Sequence, residues 1–549
     1  MDYTKEYQIW LDNVDDNTKK NLQAMNDDEI QDAFYCHLKF GTGGLRGVMG
    51  AGTNRMNMYT VRKATQGVAN EILSHGGELA GKGVVIAYDS RKNSAEFAYE
   101  CTRVLCANGI KTYIFNSLRP TPELSFAVRY LGCARGIVIT ASHNPKEYNG
   151  YKVYGEDGGQ IPPETAETIL NFIDKTDIFN DVKLTDNPQS ITIGDEVDRA
   201  YIDAVKAQGC GTAVSENFKV VYTPLHGSGN LLVRRILSEI GVKNVFTVPE
   251  QEQPDGDFPT VQSPNPENSE AFDIAVKYAK EQNADVVFGT DPDSDRIGVV
   301  VRNTEGEYIV LNGNQTGCLL CEYILRKSKE NNTLPQDGAI VKTIVTTETV
   351  RAIANDYGIE TIDVLTGFKF IGDQIKGFED KGRAERFIFG LEESYGYLKG
   401  TYARDKDAVV AAMLICETAA DYKAKGMTLY DGLQAIYKKY GYAKEQLKTM
   451  TLKGIDGAEQ IKSIMSRFRN GELPIEIIKR LDYSEGIDGL PKSDVMKFFT
   501  ANGWFAVRPS GTEPKIKFYF GAYGTTDEIA RIEMERMTDA VEKVIGGRI

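Results

Sequence analysis

At 549 residues the chain is longer than one hydrophobic core organises, so roughly three to four domains are expected. Hydrophobic residues at 41% and charged residues at 26% exclude a disordered or fibrous protein. A formal net charge of −14 argues against nucleic acid or an anionic membrane as partner, so any anionic ligand must be met by a local basic pocket.

The chain opens on a polar, acidic stretch, Met1 to Lys20, and no later run is apolar for long enough to span a membrane, which makes a cytoplasmic location the expectation. The eight cysteines are too sparse for a secreted disulfide framework. Cys318 and Cys321 form a CxxC in the apolar run NQTGCLLCEYIL, but no second pair completes a zinc site, and a buried helix face explains them better.

In chain order, one pattern recurs: a β-branched apolar run ends abruptly in a polar loop, and a helical stretch follows. It occurs at VVIAYDSR (84–91), GIVITASHNP (136–145), KVVYTPLHG (219–227), DVVFGTDPDSDR (285–296), AIVKTIVTT (339–347) and FIFGLEES (387–394). Such strands alternating with helices predict parallel sheets covered on both faces, with ligands bound beyond the strands' carboxyl ends. DEVDRAYIDAVKAQ (195–208) reads as an amphipathic helix, with breaks at GCGT (209–212), LNGNQ (311–315) and KYGYAKEQ (439–446). The pieces WFAVRPS and IKFYFGAY and the final helix at 525–546 suggest an α+β module. The fold expected is three tandem α/β domains with mixed or parallel sheets and a smaller C-terminal α+β domain around a central cleft, divided as 1–208, 209–312, 313–440 and 441–549.

Four motifs carry chemistry, three of them at these strand ends. Thr140-Ala141-Ser142-His143-Asn144-Pro145 places a serine beside a histidine, with Lys152 downstream in the same polar loop. A lone serine here would be read as a helix cap, but capping needs none of its neighbours. In Asp291-Pro292-Asp293-Ser294-Asp295-Arg296, residues two apart on an extended segment point the same way, so three carboxylates can meet one hard cation. The spacing lacks the glycine and distal glutamate of an EF-hand, and magnesium suits three carboxylates plus phosphate or water. Gly390-Leu391-Glu392-Glu393-Ser394-Tyr395-Gly396, followed by Arg404, Lys406 and Asp407, offers a carboxylate and a hydroxyl to adjacent sugar hydroxyls. Arg508-Pro509-Ser510-Gly511-Thr512-Glu513-Pro514-Lys515 offers a guanidinium fork, two hydroxyls and backbone N–H groups around a glycine turn, a suitable phosphate clamp.

Together, and in this order, the four motifs resemble those of the α-D-phosphohexomutase superfamily, and the likeness runs from FGTGGLRG (40–47) to RPSGTEP. The resemblance implies that Ser142 carries a phosphoryl group and completes a magnesium site with Asp291, Asp293 and Asp295. It implies that Arg46, His143, Lys152 and Arg296 surround the transferring phosphate. Glu392 and Ser394, with Thr366, Gly367 and Lys369 of LTGFKF, match the sugar-facing loops, and Arg508, Ser510, Gly511 and Thr512 match the clamp on the non-reacting phosphate. The implied reaction interconverts glucose 1-phosphate and glucose 6-phosphate through phosphoserine, with glucose 1,6-bisphosphate as intermediate and activator. Mannose or pentose phosphates are alternative substrates; a phosphatase or an inactive sugar-phosphate sensor would keep some of these groups. Many relatives have a histidine two residues after the recognition serine, whereas here Gly396 stands there, and RDKD (404–407) resembles the segment whose lysine carries the proton. Lys406 is therefore the expected general acid/base, provided its neighbours lower its pKa. The form FGTGGLRGVMGAGTNRMN looks most like the subgroup of bacterial α-phosphoglucomutases and phosphopentomutase-like enzymes. A phosphosugar is the expected partner, and the chain is expected to act as a monomer or homodimer.

Overall fold

Four β-sheets follow one another along the chain in the computed structural model, which describes every residue except Met1, Thr42, Lys453, Asp488, 511–514 and Ile549. The first has six strands in the order Gly44–Val48, Tyr148–Tyr154, Arg135–Ile139, Val84–Tyr88, Thr112–Phe115, Ile191–Ile193. The second runs Tyr308–Leu311, Ile297–Arg302, Val286–Thr290, Lys219–Thr223, Asn244–Thr247, and the third Glu360–Val364, Ala339–Thr343, Phe387–Glu392, Gly396–Lys399. In each, the central strands pair in parallel, as continuous buried runs such as Val84-Val85-Ile86-Ala87 require when helices cover both faces. Three α/β domains with mixed sheets are thus followed by a domain whose five-stranded sheet, Tyr442–Thr451, Lys515–Gly524, Gly503–Pro509, Met496–Thr500, Lys479–Asp482, is wholly antiparallel.

The mixed character has one source that the alternation of strands and helices does not reveal. In each of the first three sheets a central parallel strand turns back at once into an antiparallel neighbour: Arg135–Ile139 into Tyr148–Tyr154, Val286–Thr290 into Ile297–Arg302, and Phe387–Glu392 into Gly396–Lys399. The three returns are 140–147, 291–296 and 393–395, which hold Ser142, the aspartates and Ser394.

The helix Ala408–Ala424 is buried along most of its length, because apolar residues occupy its whole circumference rather than one stripe. Asp407 caps it, accepting from the N–H groups of Val409 and Val410. It belongs to a core shared by the second and third sheets, to which the amphipathic helix Asp195–Lys206 also contributes Tyr201, Ile202 and Val205. These units therefore pack as one body, which holds the returning turns against one another. Among the described residues no helix is long and apolar enough to cross a membrane, and Cys318 and Cys321 are both buried free thiols.

Candidate active site

Each of the three returning turns contains one non-glycine residue forced into the left-handed region: Ser142 at φ 52°, Ser294 at φ 51° and Tyr395 at φ 64°. Bulky residues reach this conformation at a cost that the surroundings must offset. For Ser142 the surroundings are explicit. The buried guanidinium of Arg91 donates to the carbonyl oxygens of Ser142 (2.6 Å), Pro145 (2.9 Å) and Tyr148 (3.1 Å) and also to that of Asn144. Thr140 Oγ1 accepts from the Ser142 N–H at 2.8 Å. Arg91 thus moulds the whole loop from the end of the neighbouring strand; the sequence marked it only as the last residue of VVIAYDSR.

So held, Ser142 Oγ lies 2.8 Å from Asp291 Oδ2 and 3.1 Å from His143 Nδ1. Burial, then the nearby guanidinium groups of Arg296 and Arg46, hold His143 well below the usual histidine range, so its imidazole is neutral at physiological pH. Arg46 comes from the paired edge strand and donates to Asn144 Oδ1 at 3.2 Å. Lys152 is on the return strand rather than in the loop, and its Nζ reaches Asp293 Oδ2 at 2.9 Å and Asp295 Oδ2 at 3.7 Å.

The aspartates meet through a turn, not along an extended segment. Asp291 Oδ1 accepts from the N–H groups of Asp295 and Arg296 (3.1 Å each), folding the segment back on itself. All three side chains are buried, and one ligand oxygen from each lies within 4.8 Å of the others. Asp293 Oδ2 is taken by Lys152 and by Thr121 Oγ1 (2.8 Å), whereas Asp293 Oδ1 and Asp295 Oδ1 are buried and have no hydrogen-bond partner among the described residues. Burial and the mutual repulsion of the carboxylates push Asp291 and Asp295 up, while Lys152 and Lys406 hold Asp293 down despite its burial. Unpartnered carboxylate oxygens facing one point at such a cost fit a hard divalent cation. Thr121, at the start of the helix Thr121–Leu131, is a contributor the sequence reading missed; its N–H also donates to the Asp293 carbonyl at 2.9 Å.

The aspartate turn 291–296 is joined directly to the turn 393–395: Arg296 bridges Gly396, and the Ile297 N–H donates to the Tyr395 carbonyl at 3.2 Å. Arg296 itself pairs with Glu267 at 2.5 Å. Glu392 ends its strand fully enclosed, and burial pushes its carboxyl up to about 7. Lys406 Nζ lies 2.8 Å from Asp295 Oδ2 and 3.2 Å from Asp405 Oδ1. Burial disfavours its charge, yet Asp295, Asp405 and Glu392 outweigh burial and raise its pKa, so the lowered value expected of a base is not found in this arrangement. Asp405 is in turn fixed by the Tyr154 hydroxyl of the first domain at 2.7 Å.

Thr366 and Gly367 precede the helix Phe368–Glu379, with Gly367 at φ 113°, and burial lowers the pKa of Lys369. Burial, and then the negative charge of Asp157 of the first domain, raise the pKa of Asp373 on that helix. On the C-terminal sheet Arg508 pairs with Lys517, and Trp504 and Ala506 of the same strand share a buried core with Tyr519 and with Ile344, Val345 and Leu365 of the third domain, so this strand packs against that domain. The Ser510 N–H donates to the Lys515 carbonyl at 2.8 Å. Gly511 and Thr512 lie outside the described residues.

Comparison with known proteins follows the same four-part division. Models of the phosphoglucomutase/phosphomannomutase α/β/α domains I, II and III match residues 37–178, 199–306 and 312–440, and that of the C-terminal domain matches 452–538. The chain belongs to the phosphoglucomutase/phosphomannomutase family. That membership places it in the α-D-phosphohexomutase superfamily and among the mutases. Relatives in the family include proteins named phosphoglucomutase from Staphylococcus saprophyticus, 38% identical over 93% of this chain and 95% of the relative, and from Staphylococcus aureus strain MSSA476, 35% identical over 94% and 95%. Among solved structures, a phosphoglucomutase/phosphomannomutase family protein from Burkholderia thailandensis superposes with a TM-score of 0.69 at 19% identity, covering 93% of this chain and 98% of that one. Parafusin, a phosphoglucomutase of Paramecium, superposes with a TM-score of 0.68 at 17% identity, covering 93% and 95%. These two likenesses concern the fold.

Proposed function

We propose that the chain interconverts glucose 1-phosphate and glucose 6-phosphate, with Ser142 as the phosphoryl carrier and glucose 1,6-bisphosphate as the intermediate. The observation that carries this reading is the placement of Ser142 Oγ against Asp291 Oδ2, at the edge of the three-carboxylate cluster and within reach of a neutral imidazole. The names of its Staphylococcus relatives support glucose as the sugar.

Asp291, Asp293 and Asp295 would hold magnesium, which when bound supplies positive charge to the oxygens of the transferring group. The chain's own cations supplement it: Lys152, Arg296 and Lys406 surround the same point, and a lysine kept protonated, as Lys406 is, is suited to stabilise charge. In the forward half-reaction the bond from phosphorus to Ser142 Oγ breaks as one to the free sugar hydroxyl forms, and the hydroxyl proton must leave. Glu392, poised at about 7, is the enclosed carboxyl able to take that proton at neutral pH. The bisphosphorylated sugar then reverses end for end, and its second phosphate returns to Ser142 Oγ while Arg508 and Ser510 grip the first.

A panel of glucose, mannose and pentose 1-phosphates, compared by kcat/KM with magnesium and glucose 1,6-bisphosphate present, tests the reading. Glucose 1-phosphate is expected to be preferred and to yield glucose 6-phosphate. A higher kcat/KM for another sugar would reassign the substrate, and release of inorganic phosphate without glucose 6-phosphate would replace mutase by phosphatase.

A further inference from the structure

A buried amine from the C-terminal domain enters the third domain beneath the sugar loop. Lys497 has only 2% of its side chain exposed, and its Nζ donates to the Ile344 carbonyl at 2.6 Å and meets Glu348 Oε1 at 3.3 Å. The same Nζ lies over the rings of Trp504 (4.5 Å to the centroid) and Phe499 (4.9 Å). Glu348 is shared with Lys342 (3.1 Å), which also contacts Asp363 (3.0 Å), and with Arg351 (2.7 Å). A second bond between the domains runs from the Glu348 N–H to the Tyr523 hydroxyl at 2.9 Å, which also receives the Trp504 indole N–H at 3.1 Å.

An apolar side chain at 497 would pack on Trp504 and Phe499 without losing the hydration of an ammonium group. Beyond the two rings of its own domain, what the amine reaches is the turn 344–348 of the third domain. On its other side that turn supports the sugar loop, since Thr343 Oγ1 and Thr346 Oγ1 both donate to Glu393 Oε2, at 2.9 and 3.2 Å, and Glu393 lies between Glu392 and Ser394. Within the C-terminal sheet Lys497 pairs with Ala506, two residues from Arg508 on the clamp strand. A continuous set of polar contacts therefore runs from that strand to the sugar loop, flanked by an apolar seam of Ile344, Val345, Leu365, Trp504, Ala506 and Tyr519.

We propose that Lys497 is a positioning residue that ties the phosphate-gripping strand to the sugar loop through the turn 343–348 and Glu393, and so fixes the span between the two grips on the substrate. The tie is a property of the chain; only its kinetic consequence rests on the mutase reading above.

Lys497→Met keeps the stem and removes the amine. Hydrogen exchange of the substrate-free protein should speed up at the amides of 393–395, which belong to another domain. With glucose 1-phosphate, KM should rise about tenfold, corresponding to ~1.4 kcal/mol, and the requirement for glucose 1,6-bisphosphate should rise with it, while the extent of Ser142 phosphorylation by that compound stays unchanged. Glu393→Gln cuts the same tie from the other end, so the double variant should cost little more than either single one. Unchanged exchange at 393–395, an unchanged KM, or fully additive single effects would each overturn the proposal. If Lys497→Met does not fold, Glu393→Gln must by itself raise KM, or the proposal fails. Absence of phosphate on Ser142 in the unaltered protein would instead sink the mutase reading and leave the exchange result to decide the tie.

Discussion

Ser142 Oγ and Asp291 Oδ2 are 2.8 Å apart although 149 residues separate them in the chain, and the two turns that carry them belong to different sheets. The serine proposed as nucleophile and the carboxylates proposed to hold the cation are thus brought together by domain packing. Treatment with glucose 1,6-bisphosphate should place a phosphoryl group on Ser142, seen as an increase in intact mass and mapped by peptide analysis. Ser142→Ala should incorporate none and lose turnover; a fully active Ser142→Ala protein would refute the assignment.

Lys152 and Thr121 both bond Asp293 Oδ2, which leaves the buried Oδ1 as the oxygen open to a cation. Chelation should abolish turnover and magnesium restore it. Thr121→Val leaves Oδ2 to Lys152 alone and should weaken magnesium binding by about 10–100-fold, the usual cost of losing a residue that orients a ligand, with turnover recovering at high magnesium. Direct titration with Mn2+, followed by its electron paramagnetic resonance, separates affinity from activity.

Arg91 has its guanidinium shared among four loop carbonyls and 3.4 Å from Asp89. Arg91→Met would strand those carbonyls and leave Asp89 without its cation, a loss of roughly 3–5 kcal/mol on the scale of a broken buried pair. Chemical denaturation should register it. Arg91→Lys, which keeps the charge but not the fork, should hold more of the stability and still lower kcat, because Ser142 is no longer pinned at positive φ.

The strands and their chemically loaded ends were legible because buried parallel strands are written as unbroken apolar runs, such as VVIAY and GIVIT. What those runs do not encode is that three of them turn straight back into antiparallel partners, since TASHNP and DPDSDR read equally well as loops leading into helices. Lys152 was expected in the loop for that reason and is found on the return strand. Arg91 and Thr121 were silent because their partners are backbone carbonyls and a carboxylate distant in sequence. The sign of the Lys406 shift was equally hidden, as it depends on carboxylates contributed by 295, 392 and 405, which only folding brings around one amine.

Lys497 also makes a prediction about pH. Burial, and then the like charge of Lys342, lower its pKa to about 8 against the opposing pull of Glu348 and Asp363; Arg351 is the other cation on Glu348. The unfolded chain, with an ordinary lysine near 10.5, binds more protons between these two values, so this group's contribution to stability rises with pH through that window. Compared by denaturation at pH 7 and pH 9.5, the unaltered protein should gain stability relative to Lys497→Met. A difference that is constant or of opposite sign would show that the amine is not desolvated.

Arg508 separates the clamp from the chemistry. It stands on the strand Gly503–Pro509, paired with Lys517 of the neighbouring strand, while Ser142 and the aspartates lie at the ends of strands of the first two sheets. If it grips the phosphate that is not being transferred, Arg508→Ala removes a charged, fork-shaped contact and should weaken substrate binding by roughly 1.5–3 kcal/mol. That corresponds to about one to two orders of magnitude in affinity. The clamp must also hold the bisphosphorylated sugar while it reverses, so the variant should release more of that intermediate and depend more on added glucose 1,6-bisphosphate. Phosphorylation of Ser142 at a high concentration of the bisphosphate should persist, because the serine's loop is held by Arg91 and the carboxylate cluster by Thr121 and Lys152. An Arg508→Ala protein with an unchanged KM and an unchanged bisphosphate requirement would show that this strand end is a basic surface turn and that the second phosphate is held elsewhere.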